Sequence, residues 1–366
     1  MSVGGPPSAK RGRVLLTVSG TIPPDLDEQI ARGDRPRPDY IVMAETFGAD
    51  LIDHVTARVA SGRLGRVIER VAGPNVLLAW SCFRRRRRYQ VVFTDGEQVG
   101  MPYAAMTRLV GRGGTRHVMI VHILTVRKKM ALIRALRLSS RIDRMVVYSS
   151  RQRDLIAAAL SYSSDRIVQS PFMVDTEFFS PDAVEAARRR MICSAGLEFR
   201  DYPTMIEAVR GLDVEVVLAA ASPWSKRRDV SGDVDIPANV TVERLGFADL
   251  RALYASAEIV VVPLVDSDFQ AGITTILEAM AMGKAVICTR TRGQLDVIVD
   301  GTTGVYVQPG DAAALRTAIE RLLADPDLAV RLGRAARAWV LAEADVETYA
   351  DRMSGVVDAV ARTTAR

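Results

Sequence analysis

The chain alternates short apolar runs, rich in β-branched residues, with amphipathic segments of helical period. In the first half the apolar runs predict strands at 13–20, 89–94, 118–124, 145–148 and 166–168. The segments between them predict helices, among them 102–110, 128–138 and 151–162. Residues 39–45 are a candidate for one further strand, within a region from 25 to 88 where the pattern is weakest. Continuous apolar strands that alternate with helices are typical of a parallel sheet covered on both faces.

The alternation breaks near residues 179–182 and then starts again. It predicts strands at 191–195, 214–220, 240–245, 259–264, 284–289 and 304–308, and helices at 202–209, 249–256 and 273–282. We therefore expect two doubly wound α/β domains, residues 1–184 and 185–345, with the last helix, 346–366, packed back on the first domain. Ligands of such sheets bind beyond the carboxyl ends of the strands, so two facing domains predict a cleft between them.

Composition narrows the class of protein. The 366 residues suit two domains, and 49 Lys and Arg against 43 Asp and Glu give a formal charge of +6, which favours anionic ligands. Basic residues and aromatics do not interleave as in a nucleic-acid-binding module, so no nucleic-acid partner is expected. Three widely spaced cysteines indicate a reducing compartment, and no apolar run is long enough to cross a membrane. These observations predict a cytoplasmic protein.

The stretch 263–288 carries the most chemical information. A buried strand ends near Leu264, a polar loop with Gln270 and Gly272 follows, and a helix begins near Ile273. A helix N-terminus with a preceding glycine offers free backbone N–H groups and a positive dipole end to a phosphate. Helical spacing turns Thr274, Thr275 and Glu278 away from the core, where Glu278 is a candidate acceptor for ribose hydroxyls. The alternative is an ordinary strand–loop–helix unit with a solvent-facing glutamate.

This stretch resembles the signature of retaining GT-B glycosyltransferases of family four, which places two glutamates eight positions apart before Ala-Met-Ala-x-Gly. Glu278-Ala-Met-Ala-Met-Gly283 fits the second half of that signature, and residues 293–296, 300–311 and 174–181 resemble other runs of the family. The resemblance implies a GT-B fold of two facing Rossmann-like domains and a nucleoside-diphosphate sugar as co-substrate, with neither a further cofactor nor a metal. It implies a donor site formed by Gly246, Ala271, Gly272, Ile273, Thr274 and Glu278.

Two departures from the family pattern concern the catalytic residues. Gln270 stands where the family has its first glutamate, a residue that contacts the donor sugar. Leu197 follows Gly196 at the position of a family arginine, and Arg200 falls at the position of the lysine that clamps the diphosphate. We therefore expect Gln270 to contact the sugar and Arg200 to neutralise the diphosphate. Lys226, Arg227 and Arg228 are the alternative clamp.

The first half supplies three candidate contacts at strand ends. His122 ends an apolar strand and matches a cleft-facing histidine of the family, which implies a role in positioning the sugar. Asp95 and Glu97 follow another strand and are candidates for contacts to an acceptor hydroxyl, the alternative being a solvated turn around Gly96. The run Arg84–Arg88 is either a solvated helix end or a basic patch toward an anionic membrane or a phosphorylated acceptor.

The resulting hypothesis is an enzyme that moves a sugar from a nucleoside diphosphate to an acceptor hydroxyl with retention at the anomeric carbon. The acceptor is a small molecule or is lipid-linked, and the protein is expected to be cytoplasmic or peripheral to the inner face of the membrane. Two alternatives share the donor site. One is a GT-B epimerase or hydrolase of sugar nucleotides, and the other is a non-catalytic partner protein that binds a nucleotide sugar.

Overall fold

A computed structural model describes residues 12–124, 126–160, 162–187, 189–220 and 235–362. These residues form two α/β domains, each built on a six-stranded sheet in which all neighbouring strands are parallel. The predicted pair of doubly wound domains is confirmed. None of the described helices is both long and apolar enough to cross a membrane.

The first domain has strand order β2-β1-β3-β4-β5-β6. Its strands are β1 (Gly12–Thr17), β2 (Ala49–Ile52), β3 (Tyr89–Thr94), β4 (Arg116–Val121), β5 (Arg144–Val147) and β6 (Ile167–Gln169). Its helices are α1 (Leu26–Ala31), α2 (Asp39–Phe47), α3 (His54–Ala72), α4 (Pro74–Arg85), α5 (Glu97–Val110), α6 (Arg127–Ala135) and α7 (Ser150–Leu160).

The second domain has strand order β12-β11-β10-β7-β8-β9, the order of dinucleotide-binding Rossmann folds. Its strands are β7 (Met191–Ala195), β8 (Glu215–Ala219), β9 (Val240–Glu243), β10 (Ile259–Val262), β11 (Ala285–Thr289) and β12 (Val305–Val307). The remaining helices are α8 (Tyr202–Val209), α9 (Phe247–Ser256), α10 (Ile273–Ala281), α11 (Ala312–Ala324), α12 (Pro326–Glu343) and α13 (Val346–Arg362).

Alternation along the strands gives each sheet an apolar surface on both sides. In β1, Leu16 faces a core that includes its register partner Phe93, whereas Leu15 and Val92 face the opposite core with α4. Parallel sheets are stable only when both faces are covered, which explains the nearly continuous apolar strands in the sequence.

The candidate strand at 39–45 is wrong, because these residues lie in α2. Pro38 precedes the helix, and Val42, Met43 and Phe47 recur at helical spacing and are buried against the sheet. Gly48 ends the helix with φ of 63°, a left-handed conformation that glycine adopts without strain. The four-residue edge strand β2 follows at once, too short for its alternation to be detected.

The last helix, α13, packs on the first domain. Its apolar face joins the core formed by β1, β3 and β4, and the Tyr349 hydroxyl lies 3.1 Å from that of Tyr148. The chain crosses between domains twice at one place, where Val174 donates to the carbonyl of Ala344 and accepts from the N–H of Val346. The two chain crossings thus lie side by side and are hydrogen-bonded to each other.

We predict that Met353→Ala, which removes a fully buried side chain of α13, destabilises the first domain by about 2–5 kcal/mol. The control is Asp351→Ala on the exposed side of the same helix, which should change stability by less than about 0.5 kcal/mol. Thermal and urea unfolding measure both. Equal stability of the two variants would show that α13 does not belong to this core.

Candidate active site

Each sheet has a switch point, where successive strands are added on opposite sides, and the two switch points face one cleft. In the first domain it lies between β1 and β3, and in the second between β7 and β10. Loops leave a switch point in opposite directions and open a crevice at the carboxyl ends of the strands. A cavity of about 370 Å³ occupies this place and is lined by residues of both domains, including Thr17, Asp39, Asp95, His122, Tyr148, Phe247, Thr274 and Glu278.

Two carboxylates of the first domain share the cavity. Asp95 follows β3 and accepts hydrogen bonds from the hydroxyls of Thr17 (2.5 Å) and Ser19 (2.8 Å) and from the Ser19 N–H. Burial raises the pKa of Asp95 in spite of these bonds. Burial also raises the pKa of Asp39, the first residue of α2, to about 6, and the negative charge of Asp95 contributes. The pair offers two acceptors at one wall of the cavity.

His122 lies at the carboxyl end of β4, as predicted, and lines the same cavity. Its Nε2 lies 2.8 Å from the backbone carbonyl oxygen of Asp95. Because a carbonyl only accepts, Nε2 carries a proton and donates it there. The ring centroid lies 5.8 Å from that of Tyr148, so the histidine is oriented by both neighbouring strands.

The structure does not place Glu97 in the cavity, which corrects the expected acceptor contact. Glu97 is 2% exposed and accepts from the N–H groups of His122 (2.9 Å) and Ile123 (3.1 Å) and from Lys129 Nζ (2.7 Å). Although burial opposes ionisation, the Lys129 and backbone hydrogen bonds hold the pKa of Glu97 below its usual value. Glu97 therefore fixes the backbone that presents His122.

The start of α10 has the geometry that the sequence predicts for an anion site. Gly272 precedes the helix with φ of 73°, and a Cβ at this position would lie 2.9 Å from the side chain of Val262. Ala271 and Ile273 are buried on either side of it, and Thr274 is exposed and lines the cavity. The first N–H groups of a helix have no intrahelical partner, so the start of α10 offers such groups beside Thr274.

Arg200 lies beneath this helix start, at the switch point between β7 and β10. It is 7% exposed, and its guanidinium donates to the carbonyls of Ala195 (2.8 Å) and Glu198 (3.0 Å) and to the Thr275 hydroxyl (2.9 Å). Thr275 is therefore buried, which corrects its expected orientation toward the cleft. Among the described residues no carboxylate forms an ion pair with Arg200. Its charge adds to the positive end of α10.

Glycines bring the guanidinium close to the backbone on two sides. A Cβ on Gly196 would lie 2.6 Å from Arg200 Nη2, and one on Gly272 would lie 3.2 Å from Nη1. Burial lowers the pKa of Arg200, but an arginine keeps its charge near neutral pH. The alternative clamp residues Lys226, Arg227 and Arg228 lie outside the described part of the chain.

Glu278 lies one and a half turns into α10 and lines the cavity. Its carboxylate accepts a hydrogen bond of 2.9 Å from the Tyr254 hydroxyl. Burial raises the pKa of Glu278 to about 7, although Tyr254 and the charge of Arg200 act in the opposite direction. Gly246 is the N-cap residue of α9, and the next residue, Phe247, forms part of the cavity wall.

Gln270 is 9% exposed, and neither its amide oxygen nor its amide nitrogen has a hydrogen-bond partner among the residues described. Gln294, which follows β11, is fully buried, and its amide oxygen and nitrogen likewise have no hydrogen-bond partner in the described residues. A buried polar group without a partner costs roughly 1–3 kcal/mol, so such groups are rare unless a ligand satisfies them. These amides are candidates for ligand contacts.

Other charged candidates are engaged elsewhere. Asp266 and Asp268, which have the spacing of a metal-binding pair, form ion pairs with Arg292, and Asp268 also pairs with Arg151 across the cleft. In the ranges described, no group of three or more His, Cys, Asp and Glu could hold a metal ion. The predicted patch Arg84–Arg88 is not continuous, because Arg86 is buried and donates to Phe83 O and Gly111 O.

Sequence patterns missed three residues of this site: Asp39, Tyr148 and Tyr254. Asp39 was assigned to a strand, although Pro38 followed by an acidic residue is a typical helix start. Tyr148 ends β5 at the same sheet edge as His122. Tyr254 lies on α9, and its contact with Glu278 depends on the packing of α9 against α10, which a pattern along the chain does not reveal.

The chain is similar to known glycosyltransferases. Residues 199–325 match the family model described as glycosyl transferases group 1. The GDP-mannose-dependent alpha-(1-6)-phosphatidylinositol monomannoside mannosyltransferase of Mycolicibacterium smegmatis is 27% identical over 56% of this chain and 59% of the relative. The alpha-D-kanosaminyltransferase of Streptomyces kanamyceticus is 27% identical over 58% and 59%. The alignments thus span about three fifths of these relatives.

Solved structures match almost the whole chain. Sucrose-phosphate synthase from Thermosynechococcus elongatus superposes with a TM-score of 0.71 at 17% identity, over 96% of this chain and 99% of that one. HepE of Anabaena in complex with UDP-glucose gives a TM-score of 0.70 at 14% identity, over 95% and 100%. The predicted GT-B fold is confirmed.

We predict that Glu278 makes folding stability depend on pH. Its folded pKa of about 7 exceeds the value of about 4.3 for an unfolded chain, so the folded state holds the proton more tightly. The resulting stabilisation is fully present below about pH 4 and is lost as the pH rises through 7, by up to about 3 kcal/mol. Glu278→Gln is neutral throughout, so its stability relative to wild type should rise over this range. The free energy of unfolding, measured in urea at pH 4 to 8, tests this prediction, and the exposed Glu45→Gln is the control. Parallel curves of unfolding free energy against pH for Glu278→Gln and wild type would contradict it.

Proposed function

We propose that this chain, a member of the group 1 glycosyltransferases, transfers a sugar from a nucleoside diphosphate to an acceptor hydroxyl with retention of anomeric configuration. The observation that carries the proposal is the shared cavity. Thr274 and Glu278 on α10 of one domain line it together with Asp39, Asp95 and His122 of the other. A donor and an acceptor can therefore meet between the two sheets.

On the donor side, the N–H groups at Ile273 and Thr274 and the charge of Arg200 would bind the diphosphate. Such preorganised groups act most strongly when negative charge develops on the leaving phosphate. Arg200 would contribute from beneath the helix, through its field and by fixing the loop at Gly196 and the hydroxyl of Thr275. Glu278 would accept from the ribose hydroxyls.

On the acceptor side, Asp39 and Asp95 would accept hydrogen bonds from acceptor hydroxyls. The apolar part of the cavity, which includes Met43, Ile120 and Phe172, would contact the carbon skeleton. The bond between the anomeric carbon and the phosphate oxygen breaks, a bond to the acceptor oxygen forms, and a donor phosphate oxygen takes the acceptor proton. His122 would position the sugar, and the reaction would use neither a metal nor a protein base.

The relatives and neighbours support a nucleotide-sugar donor. One relative is described as GDP-mannose-dependent, and one neighbour of the same fold was solved with UDP-glucose. We place the reaction in the cytoplasm, since Cys82, Cys193 and Cys288 are all buried and free. The two-sided cavity favours transfer to an acceptor over the epimerase or hydrolase alternative, which has no use for an acceptor wall.

A panel of nucleoside diphosphates and their sugars, screened by thermal shift, identifies the donor. A ligand at 100 times its Kd should stabilise the protein by about 2.7 kcal/mol. With that donor and a panel of polyol and glycolipid acceptors, NMR of the product gives the anomeric configuration. A glycoside with the configuration of the donor supports the proposal, and the opposite anomer contradicts retention. Free sugar or an epimer indicates the hydrolase or epimerase, and donor binding without turnover indicates the partner protein.

We predict that Arg200→Ala lowers kcat by about 10²–10³, with a smaller change in KM for the donor. Arg200→Lys should recover part of the loss, because an ammonium restores the charge without the planar fork. Because the guanidinium also holds backbone carbonyls, the melting temperature of each variant must be measured beside its kinetics. A folded Arg200→Ala protein with kcat within about twofold of wild type, far short of that loss, would rule out the electrostatic role.

We predict that Gln270→Leu separates sugar binding from diphosphate binding. If the buried amide bonds the sugar, the nucleotide sugar should lose roughly 1–3 kcal/mol of affinity while the nucleoside diphosphate keeps its own. Folding stability should not fall, since a buried amide without partners is replaced by an apolar side chain. Calorimetric titration of both ligands, with Gln294→Leu in parallel, measures the difference. Equal losses for both ligands would contradict a sugar contact.

A further inference from the structure

The outer surface of the first domain carries apolar side chains that no other described part of the chain covers. On α3, Val59 is 79% exposed, Leu64 52%, Val67 59% and Val71 82%. Single exposed apolar residues are ordinary, but several on one helix indicate a surface that binds a partner. The helix does not belong to the cavity between the domains.

The exposed side of α3 is divided into two stripes. After a break at Gly62, Leu64, Val67 and Val71 repeat at i, i+3 and i+7, which places them on one side of the helix. Arg63, Arg66 and Arg70, all exposed, repeat with the same spacing one position earlier. At 100° per residue the two stripes lie next to each other, while Gly65 between them in sequence is buried against α4.

The neighbouring helix α4 extends the basic stripe. A polar cavity of about 350 Å³ between α3 and α4 is lined by Ser61, Leu64, Trp80, Arg84, Arg85 and Arg88. Among the residues that the structure describes, none of the arginines on this surface forms an ion pair with a carboxylate. The ion pair found on α3 in the described part of the chain is internal, from Arg58 to Glu69, and it joins the two halves of the helix across Gly62.

We propose that this surface, the α3 face, docks the enzyme on an anionic lipid bilayer. The arginine stripe and the arginine cavity would bind lipid phosphates, and Leu64, Val67 and Val71 would enter the headgroup region. A helix that lies in the interface combines these two stripes in this way. A nucleic acid fits less well, because it would bind the arginines and leave the apolar stripe exposed. A second copy of this chain also fits less well, because two α3 faces would bring like charges together.

Flotation with lipid vesicles tests the α3 face on the full chain. We expect binding to vesicles of phosphatidylcholine with 30% phosphatidylglycerol, weaker binding in 0.5 M NaCl, and little binding to phosphatidylcholine alone, because lipid charge supplies much of the attraction. The variant Arg63→Gln/Arg66→Gln/Arg70→Gln should lower the partition coefficient about a hundredfold, the scale for three basic side chains at an anionic surface.

The matched control is Arg321→Gln/Arg331→Gln/Arg334→Gln, which removes the same charge from exposed positions on α11 and α12. It should bind vesicles like wild type. A second variant, Leu64→Ser/Val67→Ser/Val71→Ser, should also lose binding, although its charge is unchanged. Both α3 variants should keep the melting temperature and the shift caused by the donor, which separates this proposal from the proposed function.

Three outcomes would overturn the proposal. Equal losses of vesicle binding for the arginine variant of α3 and for its control would show that the attraction depends only on the net charge of the protein. Undiminished vesicle binding by both α3 variants would place the lipid contact elsewhere. Tight binding of a single-stranded oligonucleotide, lost in the arginine variant and kept in the serine variant, would assign the face to a polyanion other than a membrane.

Discussion

The site depends on one buried positive charge. Arg200 lies where β7 and β10 diverge, satisfied by backbone carbonyls and the Thr275 hydroxyl and by no carboxylate within the described ranges. Burying an unpaired charge is costly unless hydrogen bonds and a counter-charge compensate it. The positive end of α10 points to the same place and increases the potential. The fold therefore keeps a positive charge beneath the start of α10, and an anionic ligand bound there would offset the cost of burying it.

The burial of Arg200 explains why glycines stand at positions 196 and 272. Gly196 and Gly272 have positive φ, and a Cβ on either would meet the guanidinium or the strand beneath α10. They allow the β7 loop and the helix start to close around Arg200. The other side of the cleft is negative, with Asp39 and Asp95 buried enough to raise the pKa of both. A polyol acceptor and a diphosphate donor suit the two sides.

The sequence predicts β3, β7 and α8 to the residue, because their apolar periodicity is dictated by burial on both faces of a sheet or one face of a helix. The start of α10 after Gly272 is also predictable, because the apolar residues that follow repeat at helical spacing. Residues 39–45 are ambiguous, because Ile41-Val42-Met43 suits a buried strand or a buried helix face. Glu97 and Thr275 were misplaced because their partners, Lys129 and Arg200, are distant in sequence and only the fold brings them near.

Polar contacts connect the two domains across the cleft. Arg151–Asp268 is an exposed ion pair of 3.3 Å across the cleft, of a kind worth at most about 1 kcal/mol. Arg37 connects α13 to the first domain through Glu347 at 2.8 Å, near the two chain crossings.

A crystal structure of the complex with a nucleoside-diphosphate sugar tests the central claim most directly. The account predicts diphosphate oxygens within hydrogen-bond distance of the N–H groups at Ile273 and Thr274, above the Arg200 guanidinium, with the ribose at Glu278. The sugar should reach the cavity beside His122. A nucleotide bound away from the start of α10, for example in the arginine cavity between α3 and α4, would contradict it.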